Sequence, residues 1–568
     1  MTRTAAPAAM HAQGATGGQI ALGLAVALFL VLFLLVPVGS VVIAAFRAEG
    51  TGGFTLLNFA DFAASDLFRR SFWNSLWVSA ATVVLASLFA VPLAVITARY
   101  RFPGGILVHT LGIVPLIMPP FVGAVAMQLL LGRNGTVNIW LKQSFGFTIP
   151  FMEGLNGVIL LEAIHYFPFI LVNLAASLAN VDRSMEEAAQ NLGSSGLRLL
   201  RRIVLPLALP GYVAGALLVF VKVFDDVATP LLLGVKDMLA PQAYLRVTSI
   251  GIADPMGYVI AVVLIAISLA ALWLSGLATR GRDYATVQRG GGGLQRRALT
   301  GPQSLAAWSI VLAILLIVLA PHIGLLLLSF ATVWSFSPLP DAYTLAHYTR
   351  VFGDSAGYIR NTLLYAGLAA LIDVILGTAI AYLVLRTRLA WRHWLDYGAM
   401  AAIAVPGVVL GIGYLRTFYG VTLPGGVPLA TLWIMIVLAL AVRRIPYALR
   451  AAMAALSQVS VTLEEAAENL GATKARTLRR VLIPLMTGGI VAGFVTSFAT
   501  AAVELSATLM LVQSDADAPL AFGIYVFMQS PAGRGAGAAL GVIAVVIAAL
   551  ATFASHRLAG GGHHQTQH

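Results

Sequence analysis

The chain is a succession of long apolar runs, each about as long as a hydrocarbon bilayer is thick, separated by short polar stretches. In the first half the runs fall at 20–45, 73–97, 106–131, 157–178, 203–224 and 258–278. A second set falls at 305–331, 362–385, 397–419, 429–449, 481–502 and 535–554. A chain in hydrocarbon must satisfy its backbone hydrogen bonds internally, so runs of this length predict helices. The fold class is therefore all-α and polytopic, with about twelve transmembrane helices in two six-helix halves. The first run is too long for the core of a signal peptide and lacks a cleavage site followed by a soluble domain, so it is read as the first span. The expected domains are a lead over 1–19, a first half over 20–280, a linker over 281–303, a second half over 304–556 and a tail over 557–568.

The two sets repeat in detail, as a duplicated unit does. Asn74-Ser75-Leu76 corresponds to Asn361-Thr362-Leu363, Arg99 and Arg101 to Arg386 and Arg388, Pro119 to Pro406, and Pro168-Phe169 to Pro446-Tyr447. The strongest repeat lies in a polar segment. Glu186, Glu187, Ala188 and Ala189 are followed by Gly193, an arginine cluster (Arg198, Arg201, Arg202) and Pro206. Glu464, Glu465, Ala466 and Ala467 are followed in the same way by Gly471, Arg476, Arg479, Arg480 and Pro484. Ser184 with Glu187, and Thr462 with Glu465, have capping-box spacing and predict a helix start, while each glycine predicts a left-handed stop. Met185, Ala188, Ala189 and Leu192, like Leu463, Ala466, Ala467 and Leu470, then fall on one helix face. Each copy reads as a bent helical elbow on the surface. A basic segment lying on lipid would explain the arginines, but not the same glycine twice.

Composition enters as a bound on function. The chain has 568 residues, of which 59% are hydrophobic and 10% charged, with a net charge of +12. Its mean hydropathy is +0.89. Arginine and lysine collect in cytoplasmic loops of membrane proteins, so the charge needs no nucleic acid to explain it. The basic clusters place both elbows, the linker and both termini on the cytoplasmic side. There is no cysteine, hence no disulfide or thiolate metal site. No phosphate-cradling Gly-x-x-x-x-Gly-Lys-Ser/Thr run and no metal-binding pattern occurs, so no catalytic residue, metal site or cofactor is assigned, and ATP hydrolysis is not expected in this chain. The histidines of the tail are read as inert.

Ionisable residues beside apolar runs mark a water-filled path or a partner. Asp225 and Asp226 end one run, and the repeat pairs Asp226 with Glu504. Pro119 and Pro406 kink the third run of each half. These five residues are the candidate pathway or gate, and the acids serve either the gate or the cargo. Lys222, Asp373, Glu162, His165, His109 and Arg416 are lesser candidates.

The acid-Ala-Ala segment with its glycine and its aliphatic-x-aliphatic-Pro ending resembles the cytoplasmic coupling loop of permease subunits of binding-protein-dependent ABC importers. That resemblance covers nearly the whole chain and implies the type I importer permease fold, with both halves fused. It also implies ABC ATPase subunits as a dimer, an extracytoplasmic substrate-binding protein and a location in the inner membrane. The segments Asp226-Val227-Ala228-Thr229-Pro230 and Glu504-Leu505-Ser506-Ala507-Thr508 resemble the ferric-iron branch, whose relatives take 2-aminoethylphosphonate or thiamine. A proton-coupled secondary transporter with twelve spans in two halves is the alternative of another class.

Overall fold

In a computed structural model, residues 16–48, 52–101, 104–181, 183–194, 196–279 and 297–560 are described. The lead up to residue 15, most of the linker and the histidine-containing tail from 561 onward lie outside these. Among the described residues, eight helices are long and apolar enough to cross a membrane. Three more candidates are pairs of helices bent at a short break. The run expected at 429–449 becomes a 26-residue helix, Trp433–Gln458. It stands apart from the other spans because Arg443, Arg444 and Arg450 interrupt its apolar surface.

The third run of each half is not a straight crossing. Leu107–Ile117 and Pro120–Phe145 meet at 102°, and Arg392–Ala404 and Gly407–Phe418 at 108°. A proline pushes the residue before it out of the helical region. Met118 and Val405 are accordingly extended, as are Pro119 (ψ 147°) and Pro406 (ψ 145°) themselves, and the next helix starts immediately after each. The prolines were expected to kink a span, and they break it. The run expected at 481–502 is also bent, by 72° between Lys474–Leu485 and Thr487–Ala502.

Within each half, close packing is set by small residues. Gly211 and Gly215 face Asn173, Ser177 and Ile170, where an added Cβ would come within 2.5–2.7 Å of the neighbouring helix. Their repeat partners Gly489 and Gly493 face Ala455, Ala451 and Ala448 in the same way. In lipid, where burial of apolar surface gives no bias toward helix pairing, such Gly-x-x-x-Gly faces let backbones touch and gain dispersion contacts. The asparagine-hydroxyl pairs of the repeat hold the opposite end of each half. Ser75 Oγ accepts from Leu239 N at 2.8 Å, and Thr362 Oγ1 from Leu520 N at 2.6 Å. Asn74 donates to the Asp237 carbonyl, and Asn361 to those of Ala516 and Ala518.

The halves exchange their first helices. Gly17–Leu30 and its continuation to Ala45 pack on the second half, where Tyr414 donates to Phe33 O at 2.9 Å and Thr417 bonds Ser40 at 3.0 Å. Helix Gly301–Phe330 packs on the first half, with Gly324 against Ala126 and Leu130 and Pro321 against Gly123, and on Arg534–Gly560 of its own half, with Leu325 against Gly541. Neither half buries its own third segment unaided.

Candidate functional site

The two elbows have one geometry. Helix Arg183–Asn191 ends at Gly193 and helix Val461–Asn469 at Gly471, each glycine at φ 83°. Ser194 N bonds Ala189 O at 2.9 Å, and Ala472 N bonds Ala467 O at 3.0 Å. These are the six-to-one bonds of a Schellman stop, which needs a left-handed residue and so favours glycine. A short π-helical turn follows in both copies, at Leu200–Val204 and Leu478–Leu482.

The capping expectation is corrected. In the second elbow Ser460, not Thr462, precedes the helix, and its hydroxyl accepts from Thr462 N at 3.3 Å. In the first, the helix already includes Ser184. The acids divide by the geometry of the turn. Glu186 is buried and pairs with Arg99, and Glu464 is half-buried and pairs with Arg386. Arg386 also donates to the carbonyls of Leu456 at 3.0 Å and Val459 at 2.7 Å. It thereby joins the end of its own span, the end of Trp433–Gln458 and the elbow. Glu187 and Glu465 lie on the exposed side together with Ala188 and Ala466. Ala189 is buried, Ala467 half-buried. The single stripe read from spacing is therefore split. Ala189 faces the spans, while Leu192 and Leu470, each 89% exposed, and Met185 and Leu463, each 47% exposed, face away.

The candidate pathway residues separate into two groups. Asp226 and Glu504 each turn back on the chain after their span. Asp226 accepts from Ala228 N at 3.1 Å and Thr229 N at 3.2 Å, and Glu504 from Ala507 N at 3.0 Å. Each carboxylate thus satisfies free N–H groups at the start of a short helix. Asp225 instead reaches the other half. Its carboxylate accepts from Gly407 N at 3.1 Å and from Arg443 Nη2 at 3.1 Å, while Arg443 Nη1 donates to Glu504 at 2.7 Å. Pro406 is next to this cluster through Gly407, where a Cβ would lie 2.4 Å from Arg443 Nη1. The corresponding position after Pro119 is Pro120. It has no N–H to offer, so Pro119 has no part in an equivalent cluster.

Arg443 is the residue that sequence reasoning missed. The signal was available: two adjacent arginines inside an apolar run are costly unless paired. Its repeat counterpart is His165, buried and bonded through Nδ1 to Leu161 O at 2.8 Å. Arg444 bonds Thr500 O at 2.7 Å. Of the lesser candidates, Glu162 and Asp373 are fully buried. Arg416 stacks over the Tyr258 ring, with its guanidinium carbon 4.7 Å from the ring centroid. Among the described residues, no group of three or more His, Asp or Glu is placed to hold a metal ion.

A family model described as the binding-protein-dependent transport system inner membrane component matches residues 90–284 and again 373–560. The putative ferric transport system permease protein FbpB 1 of Haemophilus influenzae is 28% identical over 455 residues, covering 78% of this chain and 71% of its own length. The ferric transport system permease protein FbpB of Actinobacillus pleuropneumoniae is 27% identical over 451 residues, covering 78% of this chain and 64% of its own length. A probable ABC transporter permease protein, y4fN, of Sinorhizobium fredii is 27% identical over 510 residues, covering 87% of this chain and 88% of its own. A molybdenum transport system permease protein, ModB, of Haemophilus influenzae is 36% identical, but over 149 residues and only 26% of this chain. With the same family model matched once in each half, each match enclosing one elbow, the chain belongs to the binding-protein-dependent transport system inner membrane components and is an ABC importer permease.

Proposed function

We propose that this permease carries ferric iron across the inner membrane, driven by a separate ATPase dimer and supplied by an extracytoplasmic binding protein. The observation that carries the cargo is the alignment with ferric permeases along 78% of the chain, which takes in both halves. The ModB likeness is locally higher, but its 149 residues are fewer than one half of the chain contains.

The elbows are the proposed docking points for the ATPases, one each. Each elbow presents two exposed apolar side chains on its outer side, Leu192 with Met185 and Leu470 with Leu463, as an apolar face for a partner to cover. Glu186 with Arg99, and Glu464 with Arg386, fix each elbow to its spans, so that a push on the exposed face moves the helix bundle rather than the elbow alone. The Asp225–Arg443–Glu504 cluster joins the halves and serves as the gate that this movement opens. This reading has the elbows and termini cytoplasmic.

The test is uptake of radioactive iron by cells with and without the gene, together with copurification of an ATPase. Loss of ATP-dependent iron uptake on deletion is expected. Unchanged iron uptake with lost growth on 2-aminoethylphosphonate would transfer the reading to that cargo, and uptake that collapses with an uncoupler but not with ATP depletion would point to a proton-coupled carrier.

A further inference from the structure

At the end of the bundle opposite the elbows, a cavity of about 520 Å³ opens between the halves. It is of a size that holds small-molecule ligands, roughly 300–1,000 Å³. Tyr244 and Tyr525 both line it. They are repeat counterparts, separated along the chain by the same distance as Leu239 and Leu520, whose N–H groups make the matching bonds to Ser75 and Thr362. A cavity lined by both members of a repeat pair spans the relation between the halves, where a route shared by the halves must pass.

The charge of the lining is one-sided. Lys236 comes from the first half and Arg534 from the second, Gln128 and Gln529 add amide donors, and no carboxylate lines the cavity. The Nε of Arg534 is buried without a hydrogen-bond partner. Lys236 is exposed, and its carbonyl is held by Gln242 Nε2 at 2.8 Å, which fixes the backbone from which the side chain projects. A guanidinium offers planar paired donors for an oxyanion, an ammonium a compact point charge, and phenols further donors. Like charges facing a cation would repel it. The nearby acids are engaged elsewhere: Asp237, next to Lys236, accepts from Asn74 Nδ2 at 2.9 Å, Asp254 pairs with Arg246 and Asp515 accepts from the Tyr358 hydroxyl.

We propose that this cavity is a binding site for an anion-bearing cargo, so that iron enters the permease as a negatively charged ferric chelate and not as a cation stripped of its ligands. The inference rests on the importer reading above for its location on the route. The same chemistry would accept a free oxyanion, and the experiment separates the two.

Full-length protein in nanodiscs is titrated with ferric citrate, with neutral ferric maltol and with molybdate, and bound metal is counted after rapid filtration. The wild type is expected to retain ferric citrate and to bind neutral ferric maltol at least about tenfold more weakly, since complementarity of charge sets the preference. Lys236→Glu with Arg534→Glu should lower ferric citrate retention by about tenfold or more, while Lys236→Arg with Arg534→Lys keeps most of it. Tyr244→Phe with Tyr525→Phe, which leaves charge and shape in place, should weaken binding less. Size-exclusion profiles are taken for every variant, and the conservative pair controls for folding. Equal binding of the neutral complex, or undiminished ferric citrate binding by the charge-reversed pair, would overturn the proposal. Retention of molybdate but not of ferric citrate, abolished by the same charge reversal, would uphold the anion site and overturn the ferric reading.

Discussion

Arg443 of the second half donates to Asp225 of the first, Nη2 to Oδ2 at 3.1 Å, across the boundary between the halves. The guanidinium is simultaneously bonded to Glu504 at 2.7 Å, and its side chain is 15% exposed. Removing one partner of such a group leaves a buried charge uncompensated, which costs far more than the pair contributes. Arg443→Met should therefore destabilise the folded protein by about 3–5 kcal/mol. Arg443→Met combined with Asp225→Asn and Glu504→Gln should recover part of that loss. Thermal unfolding in detergent measures both, and a single variant as stable as the triple one would contradict the pairing.

The two glutamates of each elbow are expected to behave differently. Glu186→Gln and Glu464→Gln weaken a charge-assisted bond to Arg99 or Arg386 and should cost about 1.5–3 kcal/mol of local stability. Exchanging the partners, Arg99→Glu with Glu186→Arg, should restore part of it. Glu465→Gln, on the exposed face, should leave the melting curve where it is and act on ATPase stimulation alone. Hydrogen exchange of the elbow amides, compared with stimulated ATP hydrolysis in proteoliposomes, separates the two classes.

Gly193→Val and Gly471→Val should each strain a left-handed turn by roughly 1–2 kcal/mol. A Cβ would meet nothing within 4 Å at either position, so the damage comes from backbone conformation and not from crowding. Asparagine, which tolerates this region, should be milder than alanine, and alanine milder than valine. ATPase stimulation should fall in that order while the amount of protein in the membrane stays constant.

A Cβ at Gly489 would lie 2.4 Å from that of Ala455, whereas a Cβ at Gly276 would meet nothing within 4 Å, which makes Gly489→Ala and Gly276→Ala a matched pair. The first substitution should separate two spans and lower the level of folded protein several-fold, and the second should be silent. Immunoblots of the membrane fraction, with solubilised monomer followed by size exclusion, decide this.

Single cysteines can be introduced without background, since the chain has none. Leu192→Cys and Leu470→Cys should resist an impermeant maleimide in intact cells and react in inverted vesicles. Phe336→Cys, 79% exposed at the other end of the bundle, should react in intact cells. The reverse pattern would invert the orientation and with it the assignment of the elbows.

Repetition makes most of this architecture legible in the sequence. Asn74 and Asn361, Pro119 and Pro406, and the two glycines of the elbows stand out because each occurs twice: the asparagines bond loop carbonyls, the prolines break a span and the glycines take a left-handed turn in both halves. Reading by hydropathy nevertheless overestimated continuity. An apolar run interrupted by Pro119-Pro120 is as hydrophobic as an unbroken one, and nothing in its composition distinguishes a crossing from a bend of 102°. The capping residues were misplaced because a hydroxyl three residues before an acid is found inside helices as well as at their starts. Arg443 escaped notice for a different reason. Its partner in the other half, Asp225, is remote in sequence, and neither Asp225 nor Gly407, whose N–H also bonds that carboxylate, has a repeat counterpart of the same chemistry, since the matching positions are Val503 and Pro120.

That one-sidedness bears on why the halves share a single chain. Two identical subunits related by a twofold axis must build every contact twice, so an acid offered by one and an arginine by the other would appear as two copies of the pair. A gene encoding both halves in tandem is released from that constraint. It can substitute valine for one aspartate and proline for one glycine without disturbing the other copy, and it fixes the stoichiometry of the unlike halves at synthesis. The Asp225–Gly407–Arg443 contact is one that identical halves would have to make twice and that this diverged pair makes once.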